Sequence, residues 1–269
     1  MAGVTTLERV ERLTVFLDKL MLALAEHWLL LVNLMIAVYG GLPLLAPFLM
    51  AWGYTWPARM IYTIYKPLCH QLPQRSFFLF GPHLAYSLET LQELLGPEML
   101  ATDSLARAFI GNPALGYKMA YCQRDTAMYT SMLLAGMIFG LVRRRLRPLP
   151  LALYLILLTP WAVDGLAQLL RFYESTWQLR TITGSLFGLA TVWFAYPYLE
   201  AGMRDLRRMI SVKIETKRAR NAYPWPSIKK EEKKLDGMAH SQHGTPTHGC
   251  SSPLMSHADY MIPPFDFYC

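Results

Sequence analysis

Residues 28–52, WLLLVNLMIAVYGGLPLLAPFLMAW, contain no Asp, Glu, Lys or Arg, and this run decides the fold class. About 20 apolar residues, at roughly 1.5 Å of helical rise each, cross a hydrocarbon core about 30 Å thick. Residues 126–142 (TAMYTSMLLAGMIFGLV) and 181–199 (TITGSLFGLATVWFAYPYL) are equally free of charge, and 149–170 holds only Asp164. A bilayer offers no water to backbone groups, so such segments are helices or closed-barrel strands. Uninterrupted apolar runs lack the alternation of barrel strands. The expected fold is therefore all-α: a polytopic integral membrane bundle of four transmembrane helices.

The composition agrees. The chain has 269 residues, 53% of them hydrophobic and 17% charged, against roughly 25% charged in an ordinary soluble domain. No Gly-rich phosphate loop, Gly-x-Ser-x-Gly or His-Glu-x-x-His motif is present. Four spans with one buried carboxylate and no internal repeat argue against a transporter.

Basic residues set the orientation. Arg143, Arg144, Arg145 and Arg147 fill the short connection between the second and third runs, and short Arg-rich loops stay cytoplasmic. Both termini are then cytoplasmic, the protein is multi-pass in the cell membrane, and residues 53–125 form a long outer segment. Its aromatic and basic mixture over 53–81 suits the headgroup level. Residues 87–95 and 98–109, separated by Gly96-Pro97, read as two short helices of an outer cap.

The flanks complete the plan. Residues 1–27 carry Leu7, Val10, Leu13, Leu17, Leu20, Met21 and Leu24 at helical spacing and read as an amphipathic N-terminal helix on the inner surface. Residues 200–234 are a basic juxtamembrane segment. Between 204 and 234, eleven Lys or Arg face four acidic residues, an excess equal to the net +7 of the whole chain. This stretch attracts anionic lipids, and no fold signal points to nucleic acid. Residues 235–269 contain His240, His243, His248 and His257 but no Lys or Arg, and read as a disordered His-rich tail.

The polar residues of the runs fall in one layer. With this helix ending outside near residue 173, Asp164 lies about nine residues, or roughly 13 Å, below the outer surface, with Gln168 one turn further out on the same face. Arg180, Thr183 and Gly184 open the last run, while Cys122, Arg124, Asp125 and Tyr129 lead into the second. A carboxylate within a span faces the bundle interior and takes a partner; Arg124 or Arg180 is expected to pair with Asp164. Gly136 with Gly140, and Gly184 with Gly188, permit close helix approach.

CHQLPQRSF at 69–77, CQRDTAMY at 122–129, PWAVDGLAQLL at 160–170 and RTITGSLFG at 180–188 together resemble the predicted membrane proteins grouped as domain of unknown function 2085. The resemblance runs over roughly 60–190. It carries the family pattern to Cys69, His70, Gln71, Pro73, Arg75, Ser76, Cys122, Arg124, Thr126, Tyr129, Asp164, Gly165, Gln168, Arg180, Thr183 and Gly184. Ala127 stands where the family has Gly, and the stretch between Cys69 and Cys122 is longer than usual. The resemblance implies no reaction.

Several readings of this constellation stand side by side. Cys69, His70, Cys122 and Asp125 can ligate a metal, with thiolate and imidazole suiting Zn or Cu. Cys69 and Cys122 can form a disulfide, being the only outer cysteines in an often oxidising compartment, or remain free thiols. Arg75, Arg124, Asp164, Gln168 and Arg180 can bind a ligand, with the arginines meeting the phosphate of a lipid headgroup. A different class of reading is a noncatalytic accessory subunit that docks on other membrane subunits.

Overall fold

The computed structural model describes residues 2–143, 145–170 and 172–222. The His-rich end at 235–269, the basic residues of 223–234, and Arg144 and Arg171 lie outside the described residues. The packing below belongs to the compact unit that ends at Glu215.

The chain is mainly helical. α1 runs Ala2–Ala51, so the amphipathic segment and the first apolar run are one helix. Its N-terminal apolar stripe, including Val10, Leu13, Leu17 and Leu24, stays exposed. α5 (Gln123–Val142) and α6 (Leu151–Leu169) match the second and third runs. These two helices and Arg9–Ala51 are the three described helices long and apolar enough to cross a membrane.

The expected fourth run lies in α7 (Trp177–Ala222), which also contains 200–222 of the basic segment. Thr, Gly, Trp193, Tyr196, Pro197 and Tyr198 interrupt its aliphatic residues, which makes 181–199 the least apolar of the four runs.

Glycines bring the helices together. A Cβ at Gly136 of α5 would overlap the Asn33 side chain of α1, whereas one at Gly140 would only touch Leu29 at 3.5 Å. On α7, Gly184 lies against the backbone of Arg124, and Gly188 against Ser131 and the Met128 carbonyl of α5. α6 meets α7 through stacked Tyr154 and Phe194, 4.5 Å between centroids, and through Trp161 and Phe187. Near the C-terminal end of α5, Trp28 of α1 packs edge-on against Phe139 and Tyr196.

The segment between α1 and α5 corrects the all-α expectation. After α2 (Thr55–Tyr65), β1 (Ser76–Leu79), β2 (Gly111–Asn112) and β3 (Gly116–Cys122) form an antiparallel sheet in the order β1-β3-β2. Ser76 pairs with Cys122, Phe78 with Lys118, and Gly111 with Tyr117. β3 is hidden from a period-two reading because five of its seven residues are buried, Lys118 among them, leaving no polar alternation to see.

Two short helices lie in this segment, the second shorter than the expected 98–109 because Pro97–Leu100 forms a separate 3-10 turn. α3 (Leu88–Leu95) is capped by Ser87, whose Oγ accepts from Thr90 N. α4 (Asp103–Ala108) is capped by Thr102, which accepts from Leu105 N. Gly96, at φ +82°, ends α3 in a conformation open to glycine.

Candidate functional site

β3 ends where α5 begins, and three consecutive residues there reach three different groups. Cys122 is the N-cap of α5, and its Sγ accepts from Asp125 N at 3.4 Å. Gln123 is buried and Arg124 nearly so; they turn toward the other helices. The sheet end of the bundle therefore holds two adjoining polar clusters.

The first is a thiol cluster. Cys69 Sγ accepts from Cys122 N at 3.1 Å, and Cys69 is buried. The ligand atoms of Cys69, Cys122 and Asp125 all lie within 4.8 Å of one another. The two cysteines are free thiols. His70, expected to join them, is exposed and does not belong to the cluster. Gln71, next in the chain, takes φ +50°, and it is Cys69 rather than His70 that lies against Cys122 at the end of β3.

The surroundings of the thiols are aromatic. Tyr121 stacks on Tyr129 and meets Tyr65 edge-on at 5.0 Å, and Tyr39 packs against all three. The Cys69 sulfur and burial together push the Cys122 thiol well up from its ordinary value. Both conditions disfavour a bare thiolate and are reversed by a bound cation.

Lys118 lies behind this cluster, fully buried. Its Nζ donates to the Gln71 carbonyl at 2.6 Å and the Arg107 carbonyl at 3.1 Å. Burial pushes its ammonium down to about 7, against a smaller upward pull from Cys69.

The second cluster is an ionic network. Asp164 on α6 forms an ion pair with Arg124 and accepts from Tyr173 Oη and, at 3.1 Å, from Gln168 Nε2. Gln168 Oε1 accepts from Arg180 Nε at 3.3 Å. Arg180 also donates to Gln123 Oε1 at 3.1 Å, to the Gln74 carbonyl at 3.3 Å and to Glu174 Oε1 at 2.8 Å. Arg75 grips both oxygens of Glu174, each at 2.8 Å.

The expected partner choice for Asp164 thus resolves to Arg124, while Arg180 and Arg75 share Glu174. These arginines already meet carboxylates, which corrects the picture of three of them converging freely on a phosphate. Burial alone would raise Glu174, but the two arginines outweigh it and hold its carboxyl below its usual range.

Beside the network lies an open cleft of about 450 Å³ bordered by Gln74, Tyr86, Gln123, Glu174, Trp177 and Arg180. Gln74 Oε1 is buried there without a hydrogen-bond partner among the described residues.

Tyr173, Glu174, Gln123 and Lys118 are not among the residues that sequence reasoning singles out. Charge accounting offers one signal. Once Asp164 is paired, Glu174 is the only acidic residue between 165 and 199, and Arg180 stands close to it in sequence.

The family model of the predicted membrane proteins of domain of unknown function 2085 matches residues 107–194. An uncharacterized protein of Methanocaldococcus jannaschii is 32% identical over 139 residues, covering 51% of this chain and 67% of that protein. No solved structure matches.

Proposed function

We propose that this chain, which belongs to the family of predicted membrane proteins of domain of unknown function 2085, crosses the cell membrane four times and binds a metal ion at its outer end. Cys69, Cys122 and Asp125 are the ligands, and both termini are cytoplasmic. The observation that carries the reading is the convergence of two sulfurs and a carboxylate within 4.8 Å. Each sulfur already accepts a backbone N–H, which fixes its position, and a bound cation would offset the burial and neighbouring sulfur that hold the Cys122 thiol up.

Two thiolates and one carboxylate suit Zn or Cu. Three protein ligands leave a fourth position for water or a substrate atom, so a bound Zn could supply an activated water there. The tyrosine wall of Tyr39, Tyr65, Tyr121 and Tyr129 limits bulk water on one side.

Titrating the reduced, purified full-length protein with cobalt(II) tests this. The expected result is a thiolate-to-cobalt charge-transfer absorption that saturates at one equivalent and disappears in Cys122→Ser. A spectrum with no thiolate band would overturn it, as would quantitative formation of a Cys69–Cys122 disulfide in the protein isolated without reductant.

A second reading concerns the neighbouring cleft. Since Arg75 and Arg180 are held by Glu174, the cleft suits a lipid headgroup bearing hydroxyl or ammonium groups, which could donate to Glu174 and Gln74 Oε1, rather than a bare phosphate. The alternative of a noncatalytic accessory subunit draws support from the cap, where Leu84, Leu88, Leu94, Met99 and Leu105 are exposed. Co-purification of one membrane protein in fixed stoichiometry, lost when Leu94 and Met99 become Ser, would favour it.

A further inference from the structure

The opposite end of the bundle holds a second polar cavity, of about 450 Å³, bordered by Arg143, Glu200, Arg204, Arg207 and Arg208. Arg143 follows the last residue of α5, and the other four belong to α7, so the site joins two helices. Arg204 and Arg208 are four apart and Arg207 sits between them on the same side, a spacing at which like charges repel.

Among the residues bordering the cavity, only one carboxylate opposes these four guanidinium groups, and its geometry is set from elsewhere. Glu200 is buried, accepts from Trp28 Nε1 at 3.0 Å, and forms an ion pair with Arg207 at 3.2 Å. A net excess of three positive charges remains around one cavity.

We propose that this cavity binds the phosphate-bearing headgroup of an anionic phospholipid. The guanidiniums of Arg143, Arg204 and Arg208, each able to grip a phosphate oxygen pair, match that chemistry, while Arg207 is held by Glu200 and the Met203 carbonyl. A lipid is favoured over a soluble anion because the apolar helix surface reaches the edge of the cavity. Leu141 and Val142, immediately before Arg143, are 87% and 38% exposed. The proposal is independent of the metal reading. With the proposed orientation, this lipid would belong to the inner leaflet.

The site differs from diffuse attraction by the basic residues beyond it, and the test separates the two. The full-length protein in neutral detergent is mixed with equal amounts of phosphatidylglycerol and phosphatidylcholine, and bound lipid is counted by native mass spectrometry. We expect one phosphatidylglycerol retained at least tenfold over phosphatidylcholine. The preference should collapse in Arg143→Gln/Arg204→Gln/Arg208→Gln, survive partly in the corresponding Lys variant, and persist in Lys229→Gln/Lys230→Gln/Lys233→Gln/Lys234→Gln.

Circular dichroism and gel filtration identify a triple variant that fails to fold. In that case the single Arg204→Gln variant, which leaves the Glu200 ion pair intact, must lower retention at least threefold. Equal retention in the triple variant and the parent, or loss only in the lysine variant, would overturn the proposal. So would inorganic phosphate at millimolar concentration displacing the lipid completely, which would mark a site for a free anion.

Discussion

Arg124 of α5 and Asp164 of α6 form a buried ion pair, with side chains 15% and 4% exposed, and Tyr173 and Gln168 complete the hydrogen bonds of the carboxylate. Among the described residues neither charge has a second ion-pair partner, so each depends on the other. Breaking a buried pair by removing one partner costs about 3–5 kcal/mol, because the survivor stays buried and uncompensated. Asp164→Asn and Arg124→Gln should each lower thermal stability in detergent by that amount. The double variant should lose clearly less than the sum, as a double-mutant cycle on unfolding midpoints would reveal.

Helix approach gives a second expectation. A Cβ at Gly188 would overlap Ser131 Oγ and the Met128 carbonyl, whereas one at Gly140 meets only Leu29 Cδ2 at 3.5 Å. Gly188→Ala should therefore destabilise by about 1–3 kcal/mol, the usual cost of overpacking. Gly140→Ala should be neutral or slightly stabilising, since alanine is the better helix former. Equal midpoints for the two variants would contradict the described contact of α7 with α5.

Glu174 makes stability depend on pH with a definite sign. Its folded carboxyl titrates below the ordinary 4.5, so the stability it contributes is complete above that value and is lost as pH falls through the folded one. Glu174→Gln should lower the unfolding midpoint at pH 7, and the gap to the parent should close as the pH falls below about 4.5. The carboxylate is 47% exposed, so solvent screening keeps the effect small. A gap that widens on acidification would reverse the assigned sign.

The parts visible in sequence and those hidden from it differ for physical reasons. The apolar runs announce helices because so near-complete an absence of Asp, Glu, Lys and Arg over such a length suits a lipid-facing helix and little else, and α1, α5 and α6 cover three of them to within two residues at either end. Asp164 and Gln168 could be placed on one face because helical spacing is fixed. The sheet could not be read this way, since buried β3 combines Tyr, Met, Ala and a lysine whose partners, the carbonyls of Gln71 and Arg107, are distant in sequence. Adjacency to Cys69 places His70 near the cluster in sequence, but adjacent side chains leave the backbone in different directions, and His70 is exposed where Cys69 is buried.

Orientation is open to labelling. With the four native cysteines replaced by Ser, Glu98→Cys in the cap and Ser211→Cys on α7 present single thiols at exposed positions. A membrane-impermeant maleimide should modify the first in intact cells and the second only after permeabilisation. The opposite pattern would invert the topology and move the thiol cluster to the cytoplasmic side.

Counting metal decides whether the thiol cluster of Cys69, Cys122 and Asp125 is a metal site. The full-length protein carrying His240→Ala, His243→Ala, His248→Ala and His257→Ala, so that its end offers no imidazole cluster, is purified and analysed by inductively coupled plasma mass spectrometry. The Cys69→Ser/Cys122→Ser derivative is measured alongside it. One Zn or Cu per chain is expected in the first protein and none in the second. Equal metal in both, or none in either after reductive purification and metal replenishment, would contradict it.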